Sequence, residues 1–232
     1  MDKGKGKVFS MKPNGDHAGS LLQKLYEYQQ QSNLTDFKIV VNGKEMSVHR
    51  NVVSAKCLYF EGLFSSGMKE AKEGKVTFKT LDCDVVKGIV AYLYGNKVDI
   101  VGEKVPEIID ACELLLLGEI KDQVCKFVSE EMLATENSIS LLQMADKYQM
   151  EELARKCKAL MLSNFEDLGE SEELMLLSFA EIKDLFQEQI ECDKDVVLEA
   201  ALKWVAYEKS SRLEHVLELM NIIDISQCSE AC

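Results

Sequence analysis

The sequence predicts an α+β fold, in which helices with a small, mainly three-stranded sheet come first and an all-α helical domain follows. Two short apolar runs flank the Asn42-Gly43 pair, an arrangement typical of a β-hairpin. Beyond residue 105 the apolar residues recur at helical spacing. The 232 residues suffice for two modest domains, each with its own core, and the only two prolines, Pro13 and Pro106, offer few interruptions to helices.

The first segment is predicted to be a flexible tail over residues 1–18, because it is rich in Gly and Lys and has no apolar period. A short helix follows, since Leu21, Leu22 and Leu25 lie at helical spacing. Its narrow apolar stripe needs a partner. Periodicity alone leaves two partners open, namely the core of the same chain and a second copy of it.

The sheet-forming region is predicted from residue 37 to residue 99. Strands are expected at 37–41 and 45–48, joined by a type I′ turn at Asn42-Gly43, and at 76–78, with a last short strand at 97–99. Helices are expected between them, at 49–55, 58–64 and 85–94. Asp82 is the predicted N-cap of the last of these and Gly95 its end.

The remainder is predicted to be helical throughout. A helix pair over 105–117 and 120–133 is divided at Gly118, and Ser178 with Glu181 forms a capping box for a later helix. Antiparallel helical pairs present extended surfaces without cleft chemistry. A binding or spacing role therefore fits this half better than catalysis.

Charge limits the classes of partner. Lys and Arg number 27 against 40 Asp and Glu, and residues 133–232 alone carry 9 basic against 21 acidic side chains. Such a surface repels phosphate backbones, so no nucleic-acid partner is expected. There is no run of about 18 uncharged apolar residues and no signal-peptide pattern, so neither a membrane span nor secretion is expected.

The eight cysteines are scattered singly and form no CxxC pair, which is typical of a reduced, intracellular protein of the cytoplasm or the nucleus. The three histidines, His17, His49 and His215, lie far apart, so no metal is expected. The sequence has no Gly-rich phosphate loop, GxSxG or HExxH motif. No cofactor and no enzymatic activity are expected, and His49 is interpreted as a structural imidazole.

Long stretches of the chain resemble a known pair of domains. TDFKIVVNGKEMSVHRNVVSAKCLYFEGLFSSGMKEAKEGKVTF, followed by VVKGIVAYLYG, closely resembles the BTB (POZ) domain. The later CKFVSEEMLATENSISLLQMADKYQMEELARKC, NFEDL and EELMLLSFAEIKDLF are similar to the BACK domain of kelch-like proteins. The resemblance implies a BTB/POZ domain over 19–132 and a BACK-like helical domain over 133–232.

The resemblance implies residues for two interfaces. BTB domains dimerise through their first helix, which favours the second-copy interpretation of Leu21, Leu22 and Leu25. Asp36 and Arg50 stand where the family has a buried charged pair near that interface; the alternative is that both are exposed hairpin charges. Met68-Lys69-Glu70, just after Phe64, resembles the hydrophobic-x-Glu motif of cullin-binding BTB domains. A Met in an apolar pocket beside an orienting carboxylate suits an interaction hot spot.

The chain departs from the family pattern in three places, one of which is Leu116, where kelch-like relatives typically have Gln. Cys57 and Leu58 stand where relatives usually have Ser and Pro at a helix start, and a thiol there can be activated by the helix. A redox-sensing Cys57 is therefore a hypothesis beside that of an inert buried thiol. No repeats of about 50 residues with propeller-blade spacing follow, so the kelch propeller is missing and the BACK-like region is expected to be truncated.

Function follows from the resemblance as an expectation: a dimeric adaptor of a cullin-3-type RING E3 ubiquitin ligase. The implied partners are a cullin-3-type scaffold, a second copy or another BTB protein, and an unidentified protein substrate. Two alternatives remain. One is a propeller-less competitor or regulator of full-length kelch-like proteins, and the other is a BTB assembly scaffold unrelated to ubiquitin.

Overall fold

The computed structural model describes residues 15–223, which belong to two compact units, Met1–Lys121 and Asp122–Cys232. The first unit contains helices and a small three-stranded sheet, and the second contains helices. The predicted fold class is confirmed. The predicted domain boundary at residue 132 stays a prediction, because one helix, Gly118–Phe127, spans the division between the units.

The first helix, α1 (His17–Gln30), begins inside the predicted tail. Asp16 causes the early start, because its Oδ1 accepts the Gly19 amide at 2.9 Å and caps the helix. Residues 1–14 of the tail lie outside the described residues. At its other end α1 is fixed by Gln29, which is buried and donates from Nε2 to the Ser47 carbonyl at 2.8 Å.

The hairpin prediction is confirmed. Strands β1 (Phe37–Val41) and β2 (Lys44–Val48) pair antiparallel, and Asn42 and Gly43 have φ of 50° and 80°, as a type I′ turn requires. Strand β3 (Lys75–Phe78) pairs with β1 in parallel, which gives the order β2-β1-β3. Alternate β1 side chains face the core, so Phe37, Ile39 and Val41 are buried.

The helices of the first unit follow the predicted order with one addition, the short α4. Asp82 caps α5 as predicted, its Oδ1 accepting the Asp84 and Val85 amides at 3.0 Å. The break between the last two helices lies at Leu116, which has a φ of 56°, and Gly118 begins the next helix. The helices are α2 (Arg50–Ser54), α3 (Leu58–Ser65), α4 (Lys69–Glu73), α5 (Cys83–Leu93), α6 (Val105–Leu115) and α7 (Gly118–Phe127).

The strand predicted at 97–99 is wrong. This segment pairs with no strand among the described residues, and the sheet there has only β1, β2 and β3. Instead Val98 packs on α5, where its Cγ1 would lie 3.2 Å from a Cβ added at Gly88. A short β-prone run forms a strand only when a neighbouring strand is available to satisfy its backbone groups.

His49 joins the hairpin to the second helix through a buried hydrogen-bond network. Its backbone N–H donates to the Tyr94 hydroxyl at 2.9 Å, and its Nδ1 lies 2.7 Å from the same oxygen. Its Nε2 lies 3.2 Å from the Asn33 carbonyl. A neutral ring with its proton on Nε2 satisfies all of these contacts. The geometry is that of a structural imidazole, and burial raises the pKa of Tyr94 to about 12.

The second unit is built around Trp204. Its ring is buried, and its Nε1 donates to the Leu177 carbonyl at 2.9 Å. The predicted capping box is present, with Ser178 and Glu181 bonding reciprocally. These hydrogen bonds lower the pKa of the Glu181 carboxyl. A π-helical turn, Val128–Met132, follows α7. The helices are α8 (Ser138–Lys147), α9 (Glu151–Ser163), α10 (Phe165–Gly169), α11 (Glu172–Leu176), α12 (Phe179–Gln187), α13 (Lys194–Tyr207), α14 (Lys209–Arg212) and α15 (Val216–Ile223).

Two absences hold for the part of the chain that the structure describes. None of its helices is long and apolar enough to cross a membrane. Nor do its His, Cys, Asp and Glu side chains form a group of three that could hold a metal ion.

Candidate protein-interaction surface

The first unit carries an open groove of about 970 Å³ beside exposed apolar side chains. Two leucines on its lining are exposed, Leu58 at 63% and Leu116 at 57%. Leucines exposed to this degree around one concave surface are typical of a protein-interaction site. The groove is lined by Leu22, Asn51, Val52, Ala55, Lys56, Leu58, Tyr92, Leu93, Gly95, Asn96, Lys97, Leu116, Leu117, Gly118, Glu119 and Ile120.

The apolar stripe of α1 divides between two environments. Leu22 and Leu25 are half-buried against their own unit, and Leu22 approaches Gly95 so closely that its Cδ1 would lie 3.3 Å from a Cβ added there. Leu21 is 54% exposed. One face of the helix therefore belongs to the core of its own chain, while Leu21 remains available to a partner.

Asp36 and Arg50 are neighbours, but the pair is not buried within one protomer. Arg50 Nε is 4.0 Å from Asp36 Oδ2, and the side chains are 32% and 59% exposed respectively. The carboxylate instead accepts the Arg50 backbone N–H at 2.8 Å at the start of α2. In the single chain the carboxylate serves as a helix cap at the surface, and burial of the pair near a dimer interface stays a prediction.

The Met68-Lys69-Glu70 motif lies at the start of α4. Met68 occupies the N-cap position and is 53% exposed, and Glu70 is half-buried in the first turn. Burial, and secondarily the Glu70 carboxylate, raises the pKa of Tyr59. Lys69 extends into solvent and pairs with Glu73 at 3.5 Å. The motif thus presents an apolar side chain beside a carboxylate that is partly fixed.

Phe64 packs against the sheet and the Arg50 side chain. Its ring is half-buried and lies edge-on to that of Phe37, with centroids 4.8 Å apart. The Arg50 guanidinium lies over the same ring, with its Cζ 5.2 Å from the centroid. Of the nine residues predicted for the two interfaces, Leu21 and Met68 are the exposed large apolar side chains.

Cys57 does not have the environment of a reactive thiol. The residue is buried, and its Sγ donates to the Leu115 carbonyl at 3.2 Å rather than capping α3. Desolvation by burial raises the pKa of the Cys57 thiol. This environment favours the inert buried thiol over the redox-sensing one, since a raised pKa reduces the fraction of reactive thiolate.

We expect Cys57 to react with a thiol-specific alkylating reagent more slowly than Cys83, which is only half-buried. The rates are measured on the native protein by mass spectrometry of quenched samples. Unfolding the protein in urea should make the two rates similar, because burial is then removed. Native labelling of Cys57 at or above the Cys83 rate would contradict this environment.

Two residues of the groove were not predicted from the sequence. Leu58 and Leu116 fall within the helices predicted at 58–64 and 105–117, and nothing in those patterns predicted that their side chains would be exposed. The positive φ of Leu116 turns the chain at the end of α6 and leaves its side chain at the surface. Leu58 opens α3, where it replaces the family's usual proline. That departure, together with the leucine at position 116 where kelch-like relatives typically have Gln, was the available signal.

Comparison with known proteins identifies both parts of the chain. The BTB/POZ domain is matched by residues 25–132, and the domain described as BTB And C-terminal Kelch, or BACK, by residues 138–232. The two matches, in this order along the chain, define the class: the chain is a BTB–BACK protein.

Its relatives are Kelch-like proteins. The chain is 27% identical over 209 residues to Kelch-like protein 3 from Homo sapiens, covering 89% of this chain and 35% of that protein. It is 30% identical over 199 residues to Kelch-like protein 24 from Rattus norvegicus, covering 85% and 33%. The chain therefore spans about a third of the length of the curated relatives it matches.

Two solved BTB-domain structures align with about half of the chain, at lower sequence identity than the Kelch-like relatives. The BTB domain of zebrafish PATZ1 aligns with a TM-score of 0.48 and 20% identity, covering 53% of this chain and 100% of that one. The BTB domain of human Gigaxonin aligns with a TM-score of 0.44 and 22% identity, covering 52% and 99%.

Proposed function

We propose that the protein is a dimeric adaptor for a cullin-3-type RING E3 ubiquitin ligase. The observation that carries the proposal is the exposed Met68 beside Glu70 at the start of α4. A flexible apolar side chain that becomes buried on binding, next to a carboxylate that can orient the partner, is suited to an interface hot spot. The similarity to BTB–BACK relatives supports a cullin scaffold as the partner.

The proposed dimer uses the groove of the first unit. Leu21 of α1 is exposed, and so are Leu58 and Leu116 beside the groove. In a two-fold dimer each of these side chains is used twice, because both copies present the same surface. Each protomer then carries its own α4, so a dimer would hold two cullin scaffolds. Substrate capture would fall to another surface of the protein or to a bound partner.

The proposal is tested by calorimetric titration of the purified protein with the N-terminal domain of cullin-3. We expect one cullin domain bound per protomer, and a loss of affinity of at least about tenfold in a Met68→Ala, Glu70→Ala variant, since truncating hot-spot residues typically costs about 2 kcal/mol. Lys72→Ala is the matched control, because Lys72 is exposed on the same short helix. It should bind as the wild type does.

Each outcome of the titration assigns a function. Binding that the double variant loses supports the adaptor, and addition of a neddylated ligase with a substrate then separates an adaptor from a competitor. No binding by a correctly folded dimer would contradict the proposal and leave an assembly scaffold. Equal binding by the wild type and the double variant would move the site away from α4.

A further inference from the structure

The Arg50 guanidinium makes its direct hydrogen bonds to backbone carbonyls and none to the Asp36 carboxylate. Its Nη2 donates to the Ala71 carbonyl at 2.9 Å, and its Nε donates to the Asp36 carbonyl at 3.3 Å. The separation of 4.0 Å from the carboxylate is too long for a hydrogen bond. Ala71 lies in the middle of α4, so this side chain links the start of α2 to α4.

The same guanidinium lies against two aromatic rings, Phe37 and Phe64, which are themselves in edge-to-face contact. Its Cζ is 5.1 Å from the centroid of Phe37 and 5.2 Å from that of Phe64. Contacts at these distances are favourable cation–π interactions, and a planar guanidinium stacks on rings as an ammonium cannot. Arg50 therefore contacts the first residue of β1, the last turn of α3 and the middle of α4 at once.

Helix α4 depends on such contacts for its position. It has five residues, none of which is buried. A helix of one turn is not stable by itself, so its geometry comes from the groups to which it is attached. Within it the Lys72 amide donates to the Met68 carbonyl at 3.3 Å and the Gly74 amide donates to the Glu70 carbonyl. The direction in which Met68 and Glu70 point therefore follows the position of α4.

We propose that Arg50 is a positioning residue for the cullin-binding surface, where it holds α4 so that Met68 and Glu70 reach the partner together. This inference rests on the proposed function. It moves Arg50 from the dimer interface, to which the sequence pattern assigned it, to the ligase interface. Asp36 takes a separate role, because its carboxylate caps α2 through the Arg50 backbone and not through the side chain.

An Arg50→Lys variant tests the proposal. Lysine keeps the positive charge near Asp36 but lacks the planar fork that donates to the Ala71 carbonyl while it contacts both rings. We expect the affinity for the cullin-3 N-terminal domain to fall about tenfold, as for the loss of one charge-assisted hydrogen bond. The dimer mass should not change. Hydrogen exchange at the Lys72 and Gly74 amides should accelerate.

Two control variants separate positioning from other effects. Asp36→Asn removes the charge but keeps an oxygen that accepts the Arg50 amide, so cullin affinity and α4 exchange should stay at wild-type values. Tyr94→Phe removes a buried hydroxyl that His49 uses and lowers the stability of the same unit away from α4. If its cullin affinity also stays unchanged, a loss in Arg50→Lys is not a consequence of general destabilisation.

Three results would overturn the inference. In the first, wild type and Arg50→Lys bind cullin equally and exchange at α4 is unchanged, which leaves the proposed function standing without a role for Arg50. In the second, Arg50→Lys and Asp36→Asn both dissociate the dimer, which returns the pair to that interface. In the third, the wild type does not bind cullin, and the proposed function fails together with the inference.

Discussion

Replacing Trp204 by alanine is expected to lower the free energy of unfolding of the second unit by about 3–5 kcal/mol, the usual cost of removing a large buried aromatic side chain. The Trp204 ring is 1% exposed. Its Nε1 donates to the Leu177 carbonyl at 2.9 Å. The Arg212 guanidinium stacks on it with Cζ 4.1 Å from the ring centroid. Truncation removes all three interactions and leaves a cavity.

Arg212 makes the loss larger. Its Nη1 donates to the Met175 and Trp204 carbonyls, each at 2.9 Å, so one guanidinium joins the end of α14 to α11 and α13. Without the indole beneath it, this guanidinium is left with the more distant Tyr207 ring, whose centroid is 5.6 Å from its Cζ. The variant is compared with the wild type by urea unfolding followed by circular dichroism and by hydrogen exchange resolved to each unit.

Leu176→Ala is the matched control for Trp204→Ala, because Leu176 lies in the same unit and is 69% exposed. We expect its effect on stability to be within about 0.5 kcal/mol, as for other surface substitutions. A Trp204→Ala protein that loses less than about 1 kcal/mol would show that the core of the second unit does not depend on this side chain. Exchange in the first unit should remain unchanged in both variants.

The proposed dimer is expected to dissociate when Leu21 and Leu58 are both replaced by aspartate. Each leucine is more than half exposed in the single chain, so the protomer should tolerate the change. In the dimer each becomes buried, and burial of a Leu contributes about 1.5–3 kcal/mol. Four such sites in a two-fold interface, together with desolvation of the introduced carboxylates, should weaken dimerisation by at least about a thousandfold.

Sedimentation velocity over a range of concentrations measures this change, and circular dichroism verifies that the variant is folded. Leu34→Asp serves as the control, since Leu34 is also exposed, at 74%, but does not line the groove. The backbone of Leu34 has a positive φ of 54°, a conformation that aspartate adopts at least as readily as leucine, so this control adds no backbone strain. A double variant that remains a dimer at low concentration would place the interface elsewhere on the chain.

Much of the fold could be predicted because its signals are local. The Asn42-Gly43 turn, the alternation of β1 and the caps at Asp82 and Ser178 each depend on neighbouring residues. Helix α4 was missed because it lacks such a local signal. None of its five residues is buried, so its sequence has no apolar period. The strand at 97–99 was predicted wrongly, because strand formation depends on a neighbour that the sequence pattern does not show.

The candidate site was predictable in its residue types but not in its contacts. Met68 and Glu70 could be singled out from a motif, and Leu21 from helical spacing. The bond from Arg50 to Ala71 joins residues 21 apart in the chain, and the burial of Cys57 depends on Leu115, 58 residues away. Rules based on neighbouring residues do not predict contacts between residues so far apart in the sequence. The helix-start position of Cys57 left an activated thiol open as a hypothesis, and the tertiary burial of this residue favours the inert thiol instead.

The central claim, that the chain dimerises and holds a cullin scaffold through α4, is tested most directly by the mass of the complex. The wild-type protein is mixed with excess cullin-3 N-terminal domain and separated by size-exclusion chromatography with light scattering. We predict a complex of two protein chains and two cullin domains, which the Met68→Ala, Glu70→Ala variant fails to form while remaining a dimer. A wild-type protein that elutes alone, with its mass unchanged by cullin, would contradict the claim.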